Sequence, residues 1–107
     1  MIYKFQSKAA ADVIMLGASG DQLLRLMGRE PSPKGIVQQA QLGAAISALE
    51  LAVAEDEAEF ARLQAEAAAA GDPVPKRQGV SLRQRAWPLL ELMRISLAQG
   101  EDLVWGL

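Results

Sequence analysis

The chain has 107 residues, half of them hydrophobic and 22% charged, with a formal net charge of -2 and a pI near 5.1. That is one domain's length with enough apolar residues to close a core, which argues against disorder. The slightly acidic balance gives no global pull toward nucleic acid or an anionic membrane. Cys and His are both absent, which removes disulfides, thiol chemistry, the commonest metal ligand and the usual general base.

No apolar run approaches the roughly 18 residues of a membrane span, and residues 1–8 lack the apolar centre of a signal peptide. The chain therefore reads as cytoplasmic. Ile2 to Gln6 alternate, with Tyr3 and Phe5 on one face beside Met1 and with Lys4 and Gln6 on the other. That is the pattern of a half-buried strand. Ser7 to Ala11 would connect a hairpin. Val13-Ile14-Met15-Leu16 is apolar on both faces, the pattern of a central strand whose second cover is either more of this chain or a partner.

Gly17-Ala18-Ser19-Gly20 turns the chain, and Ser19 with Gln22 has the spacing of a capping box. The short helix that follows presents Leu23, Leu24 and Met27, and Gly28 stands where a left-handed C-cap is wanted. Arg29 to Gly35 is a loop punctuated by Pro31 and Pro33. Ile36-Val37 can add a short bridge to the sheet.

Leu42 to Ala70 reads as one long helix. Leu42, Ile46, Leu49, Val53, Phe60, Leu63 and Ala67 recur at helical spacing, and Ala, the best helix former, fills most other positions. At 1.5 Å per residue this helix spans roughly 40 Å, long for so small a domain, so one end is expected to project or to meet a second subunit. The seam breaks at Asp56, which predicts a slight kink or an opening of the core toward solvent. Gly71-Asp72-Pro73-Val74-Pro75 cannot continue a helix, and the segment about 71–80 is expected to be an exposed, mobile loop within one domain spanning 1–107.

Ser81 with Gln84 repeats the capping box. The next helix presents Leu82, Ala86, Leu89, Leu90, Met93 and Leu97, with Pro88 predicting either a kink or a true start near that residue. Gly100 ends it. Leu103, Trp105 and Leu107 alternate with Asp102, Val104 and Gly106 as a last strand, with the Trp105 ring turned inward and its N–H in need of an acceptor. Folding the two long helices antiparallel about the 71–80 loop predicts Glu66 near Arg85 and Glu57 near Arg94.

Tyr3-Lys4-Phe5-Gln6-Ser7-Lys8 with Asp12-Val13-Ile14-Met15-Leu16 at one end resembles a family of short proteobacterial proteins, domain-of-unknown-function family 1840. So does Ser81-Leu82-Arg83-Gln84-Arg85-Ala86-Trp87-Pro88-Leu89-Leu90 with Val104-Trp105 at the other. Leu24, Gly28, Pro33, Gly35-Ile36 and the Ala45-Ile46-Ser47-Ala48-Leu49-Glu50 run fit as well. The likeness covers nearly the whole chain. It implies a small bacterial cytoplasmic domain and brings no assigned activity with it.

Each candidate site has a plainer reading beside it. Gly17-Ala18-Ser19-Gly20 sits where phosphate loops sit, but it lacks their motifs and carries Asp21, so a capped turn is the better reading. Glu50, Glu55, Asp56, Glu57 and Glu59 could hold a hard cation such as Mg²⁺; acidic runs on helices are more often solvated or spent in inter-helix salt bridges. Lys76, Arg77, Arg83 and Arg85 with Trp87 make a conceivable nucleic-acid footprint, against which the acidic pI and the missing recognition motifs weigh. Ser7, Ser19, Ser32, Ser47, Ser81 and Ser96 hold ordinary positions in turns, caps or helices, and no constellation of acid, base and oxyanion donors can be assembled from spacing.

The sequence thus predicts an α+β fold. A small antiparallel sheet, made of the N-terminal hairpin and the C-terminal strand, packs against two long antiparallel helices and one short helix. It predicts a non-enzymatic interaction or regulatory module that homodimerises through Ile2, Ile14, Leu16 and Val104, with no cofactor, no metal, no nucleic acid and no membrane. The alternative is a small-molecule or anion binder using Arg83, Arg85 and Trp87 at the start of the last helix.

Overall fold

The computed structural model describes residues 2–106; the readings that placed Met1 beside Tyr3 and Leu107 in the last strand lie outside them. The elements run β1 (Ile2–Ser7), β2 (Ala10–Leu16), α1 (Gly17–Leu26), β3 (Gly35–Val37), α2 (Gln39–Ala70), α3 (Leu82–Gln99) and β4 (Leu103–Trp105). The strands form one antiparallel sheet in the order β2-β1-β4-β3, and the helices lie on one of its faces. The α+β architecture is as the sequence predicts, with Ile36-Val37 supplying the fourth strand. Among the described residues no helix is long and apolar enough to cross a membrane.

Period-two alternation decides which sheet face is covered. Tyr3, Phe5, Val37, Leu103 and Trp105 are all buried and face the helices. Their rings form a row: Tyr3 stacks on Phe5 at 5.6 Å between centroids, and Phe5 meets Trp105 at 5.8 Å, tilted by 60°. Trp105 Nε1–H donates to the Ser32 carbonyl at 3.0 Å, so the indole is buried without stranding its donor.

The helices bury the stripes their spacing dictates, with two shifts. Leu23 and Leu24 of α1, with Met27 at its C-cap, enter the core. α2 contributes Leu42, Ala45, Ile46, Leu49 and Val53, and its seam ends there. Beyond it Asp56 takes a salt bridge from Arg77, Phe60 is half-buried and Leu63 is exposed, so the core opens where the carboxylate interrupts the seam. In α3 the expected Leu97 is exposed and Ser96 is buried in its place. The Ser96 hydroxyl bonds the Leu92 carbonyl and Ser7 Oγ, each at 2.6 Å, which satisfies its polarity inside the core.

The helix ends follow the glycines. Gly28, Gly71 and Gly100 each take a positive φ just past a helix. In all three the next residue's N–H reaches back to an earlier carbonyl, as from Arg29 to Leu24 at 2.8 Å, which closes a Schellman motif. Ser81 and Gln84 form the expected capping box, and α3 runs from Leu82 with Pro88 inside it, which excludes a start near Pro88. The Ser19 cap is corrected: α1 begins at Gly17 behind an N-cap at Leu16 that has no side-chain bond, so Ser19 and Gln22 are already helical.

The antiparallel pairing of α2 and α3 is as expected, but the register is not. Arg94 pairs with Glu50 rather than Glu57, Glu57 takes Arg83, and Glu66 takes Arg62 of its own helix. The cause is the connection. Residues 72–80 run back along α2 instead of turning tightly. Gln64 Nε2 donates to the Pro75 carbonyl at 3.1 Å, and Arg77 pairs with Asp56 while its guanidinium lies 4.3 Å over the Phe60 ring. This strap touches α2 at Asp56, Phe60 and Gln64, while the ion pairs between α2 and α3 lie at Glu50 and Glu57.

Candidate functional site

The open face of the sheet is the site that the fold leaves uncovered. Strand pairing sets its rows: Ile2 opposite Leu16, Lys4 opposite Ile14, and Val104 opposite both Gln6 and Ile36. Ile2 is 64% exposed, Ile14 64% and Leu16 71%. These three form an apolar corner on the hairpin. Lys4 and Asp12, paired at 3.5 Å, and Gln6 lie between that corner and Val104. Val104 is half-buried and has the exposed Ile36 as its apolar neighbour. Ile36 is a member of this face that the sequence reading did not assign to it. Its signal was the alternation with Val37, too short in a three-residue strand to separate from a bend.

The reading of Val13–Leu16 as a central strand covered on both sides is corrected. β2 is the sheet's edge, Val13 and Met15 pack against the core, and Ile14 and Leu16 face outward. A run apolar on both faces looks the same whichever neighbour is missing.

A hollow of about 460 Å³ lies at the far end of the open face, lined by Gln6, Ser7, Lys8, Asp12, Glu101, Asp102 and Val104. Two of its carboxylates already have roles. Asp12 holds Lys4, and Asp102 Oδ1 accepts the Gln39 N–H at 2.8 Å, placing negative charge at the start of α2, where the helix dipole favours it.

The basic start of α3 divides. Arg83 and Trp87 line a crease of about 90 Å³ between α2 and α3, with Glu50, Val53, Leu90 and Arg94. Arg83 makes two parallel bonds to Glu57, at 2.9 and 2.6 Å, and these hold the Glu57 carboxyl below its ordinary range. Arg94 bonds Glu91 and Glu50 and sits 5.3 Å over the Trp87 ring, which is 48% exposed. Arg85 lies elsewhere: it is half-buried and donates to Gln22 of α1 at 2.5 Å, and its buried Nε has no partner among the described residues. The structure thus brings Arg83 and Trp87 together and separates Arg85 from both. An anion at Arg83 would have to displace Glu57.

The acidic run on α2 is largely engaged by arginine: Glu50 by Arg94, Asp56 by Arg77, Glu57 by Arg83 and Glu59 by Arg62. Among the described residues no group of three or more metal-ligating side chains converges. Gly17-Ala18-Ser19-Gly20 forms the first turn of α1, and Gly20 packs on the Tyr3 ring.

Fold and site together define a small α+β domain with helices on one sheet face and a half-apolar second face left open. The chain belongs to the family described as Domain of unknown function (DUF1840), whose family model matches residues 1–105. No curated protein and no solved structure matches it.

Proposed function

We propose that this protein is a non-enzymatic interaction module of the cytoplasm that homodimerises through the open face of its sheet. The observation that carries the reading is the exposure of Ile2, Ile14 and Leu16 side by side on a face that, among the described residues, no helix covers. Burying a side chain of this kind is worth roughly 1.5–3 kcal/mol, and a contiguous apolar patch rimmed by polar residues is typical of a protein–protein contact. Lys4, Asp12 and Gln6 supply that rim. A second copy offers the same surface, and a two-fold contact sets the same patch of each copy against the other.

Catalysis finds little support. The chain has no His and no Cys, and the arginines of the crease are held by carboxylates. Light scattering across a dilution series tests the reading. The expected result is a mass that falls from dimer to monomer on dilution; a monomer at every concentration rules it out.

A further inference from the structure

Beyond Val53, where the buried seam of α2 ends, one face of the helix is still shielded. Asp56, Phe60, Gln64 and Ala67 are half-buried and stand at helical spacing, while every other residue from 54 to 70 is exposed. Residues 72–77 reach each of the four. The Asp72 N–H donates to the Ala67 carbonyl at 2.9 Å, and Gln64 Nε2 donates to the Pro75 carbonyl at 3.1 Å. Arg77 pairs with Asp56 at 2.8 Å and lies over the Phe60 ring. The segment therefore runs antiparallel to α2 along a single face.

Its hold on that face is polar and slight. Every residue from 71 to 80 is exposed, Val74 and Val80 among them, so no apolar side chain anchors it. Among the described residues, no main-chain group of residues 73–80 bonds another main-chain group. Pro73 and Pro75 fix φ and lack an N–H, which stiffens the middle. Gly71 and Gly79, at the two ends, take φ of 75° and 71° with nothing within 4 Å of their Cβ positions. Past the helix cap, the docking comes down to the Pro75 carbonyl and the Arg77 side chain.

We propose that residues 73–78 form a strap gated by ionic strength, docked on α2 at low salt and released as salt rises, with Gly71 and Gly79 as its hinges. The Arg77 and Asp56 side chains are 35% and 34% exposed, so solvent ions reach the pair. The screening length falls from about 10 Å at 0.1 M salt to about 3 Å at 1 M. An exposed pair of this kind shifts the docked-to-released ratio by a factor of about two to five. Release uncovers the Phe60 ring and the Asp56 carboxylate, where the buried seam of α2 gives out.

The ring over which Arg77 lies provides the readout, because protons above an aromatic face resonate upfield. Side-chain proton shifts of Arg77 are followed by NMR from about 0.02 M to 1 M salt in the full wild-type chain, in Asp56→Asn and in Phe60→Leu. The last variant has no ring and supplies the undisplaced value. The amide spectrum reports that the fold stays intact. The expected result is an upfield displacement in the wild type that shrinks steadily as salt rises. In Asp56→Asn the displacement should be smaller from the start and nearly independent of salt. A wild-type displacement that holds constant to 1 M, or one that is the same in Asp56→Asn, would overturn the gating. No displacement at the lowest salt would show that the strap is not docked at all.

Discussion

The ring of Tyr3 fills the space that a side chain at Gly20 would need. A Cβ placed on Gly20 falls 2.0 Å from Tyr3 Cδ2 and 2.7 Å from the next ring atoms. The first strand and the first helix are thus locked by a glycine over an aromatic face. Gly20→Ala is expected to cost about 1–3 kcal/mol, the usual scale of overpacking. Gly43, inside α2 with nothing within 4 Å of its Cβ position, gives the opposite expectation. Gly43→Ala should stabilise by about 0.5–1 kcal/mol through helix propensity. Urea unfolding midpoints of the two variants should therefore move in opposite directions.

The same tyrosine reports on pH. Burial, and then its hydrogen bond to Asp21 Oδ1 at 2.5 Å, push the phenol up to about 12. The unfolded phenol titrates near 10, so between those values the unfolded chain has released a proton that the folded one keeps. Tyr3 therefore contributes stability that is complete below pH 10 and lost as pH rises toward 12. Tyr3→Phe should flatten the fall of stability over that window. An unchanged alkaline slope in the variant would show that Tyr3 is not its source.

The strap depends on Arg77, which pairs with Asp56 and covers Phe60. Arg77→Ala should leave the core melt nearly unchanged while quickening limited proteolysis within residues 71–80 several-fold, since the segment is exposed throughout. A cleavage rate equal to wild type would mean that the strap is held by other contacts.

Leu16→Lys places a charge on the open face, where leucine is mostly in water. It should change monomer stability by less than about 0.5 kcal/mol, as surface substitutions do. A large loss, read by thermal melting at a concentration where the chain is monomeric, would mean that Leu16 packs within its own chain.

The residues show why some of this was legible in sequence. Tyr3, Phe5, Leu103 and Trp105 alternate strictly, and a strand has only two faces, so their burial could be read directly. Gly28, Gly71 and Gly100 mark helix ends because a left-handed residue is needed there and glycine takes it without strain. Ser96 lies where Leu97 is expected because a serine's polarity points outward in the sequence, while its partners, the Leu92 carbonyl and Ser7, meet it only in the fold. Arg94 was assigned the wrong glutamate because nothing in Gly71–Val80 reveals that it lies along α2. The candidate face was legible as surplus apolarity at Ile2, Ile14 and Leu16. Strand order was not, since the edge position of β2 depends on where β4 returns.

Sedimentation equilibrium of the wild-type chain beside Leu16→Lys, at matched concentrations, tests the central claim most directly. The account predicts a wild-type mass approaching twice the 11.5 kDa of the chain at high concentration, and a single-chain mass for the variant throughout. A wild-type protein that stays at the single-chain mass at every concentration would contradict it.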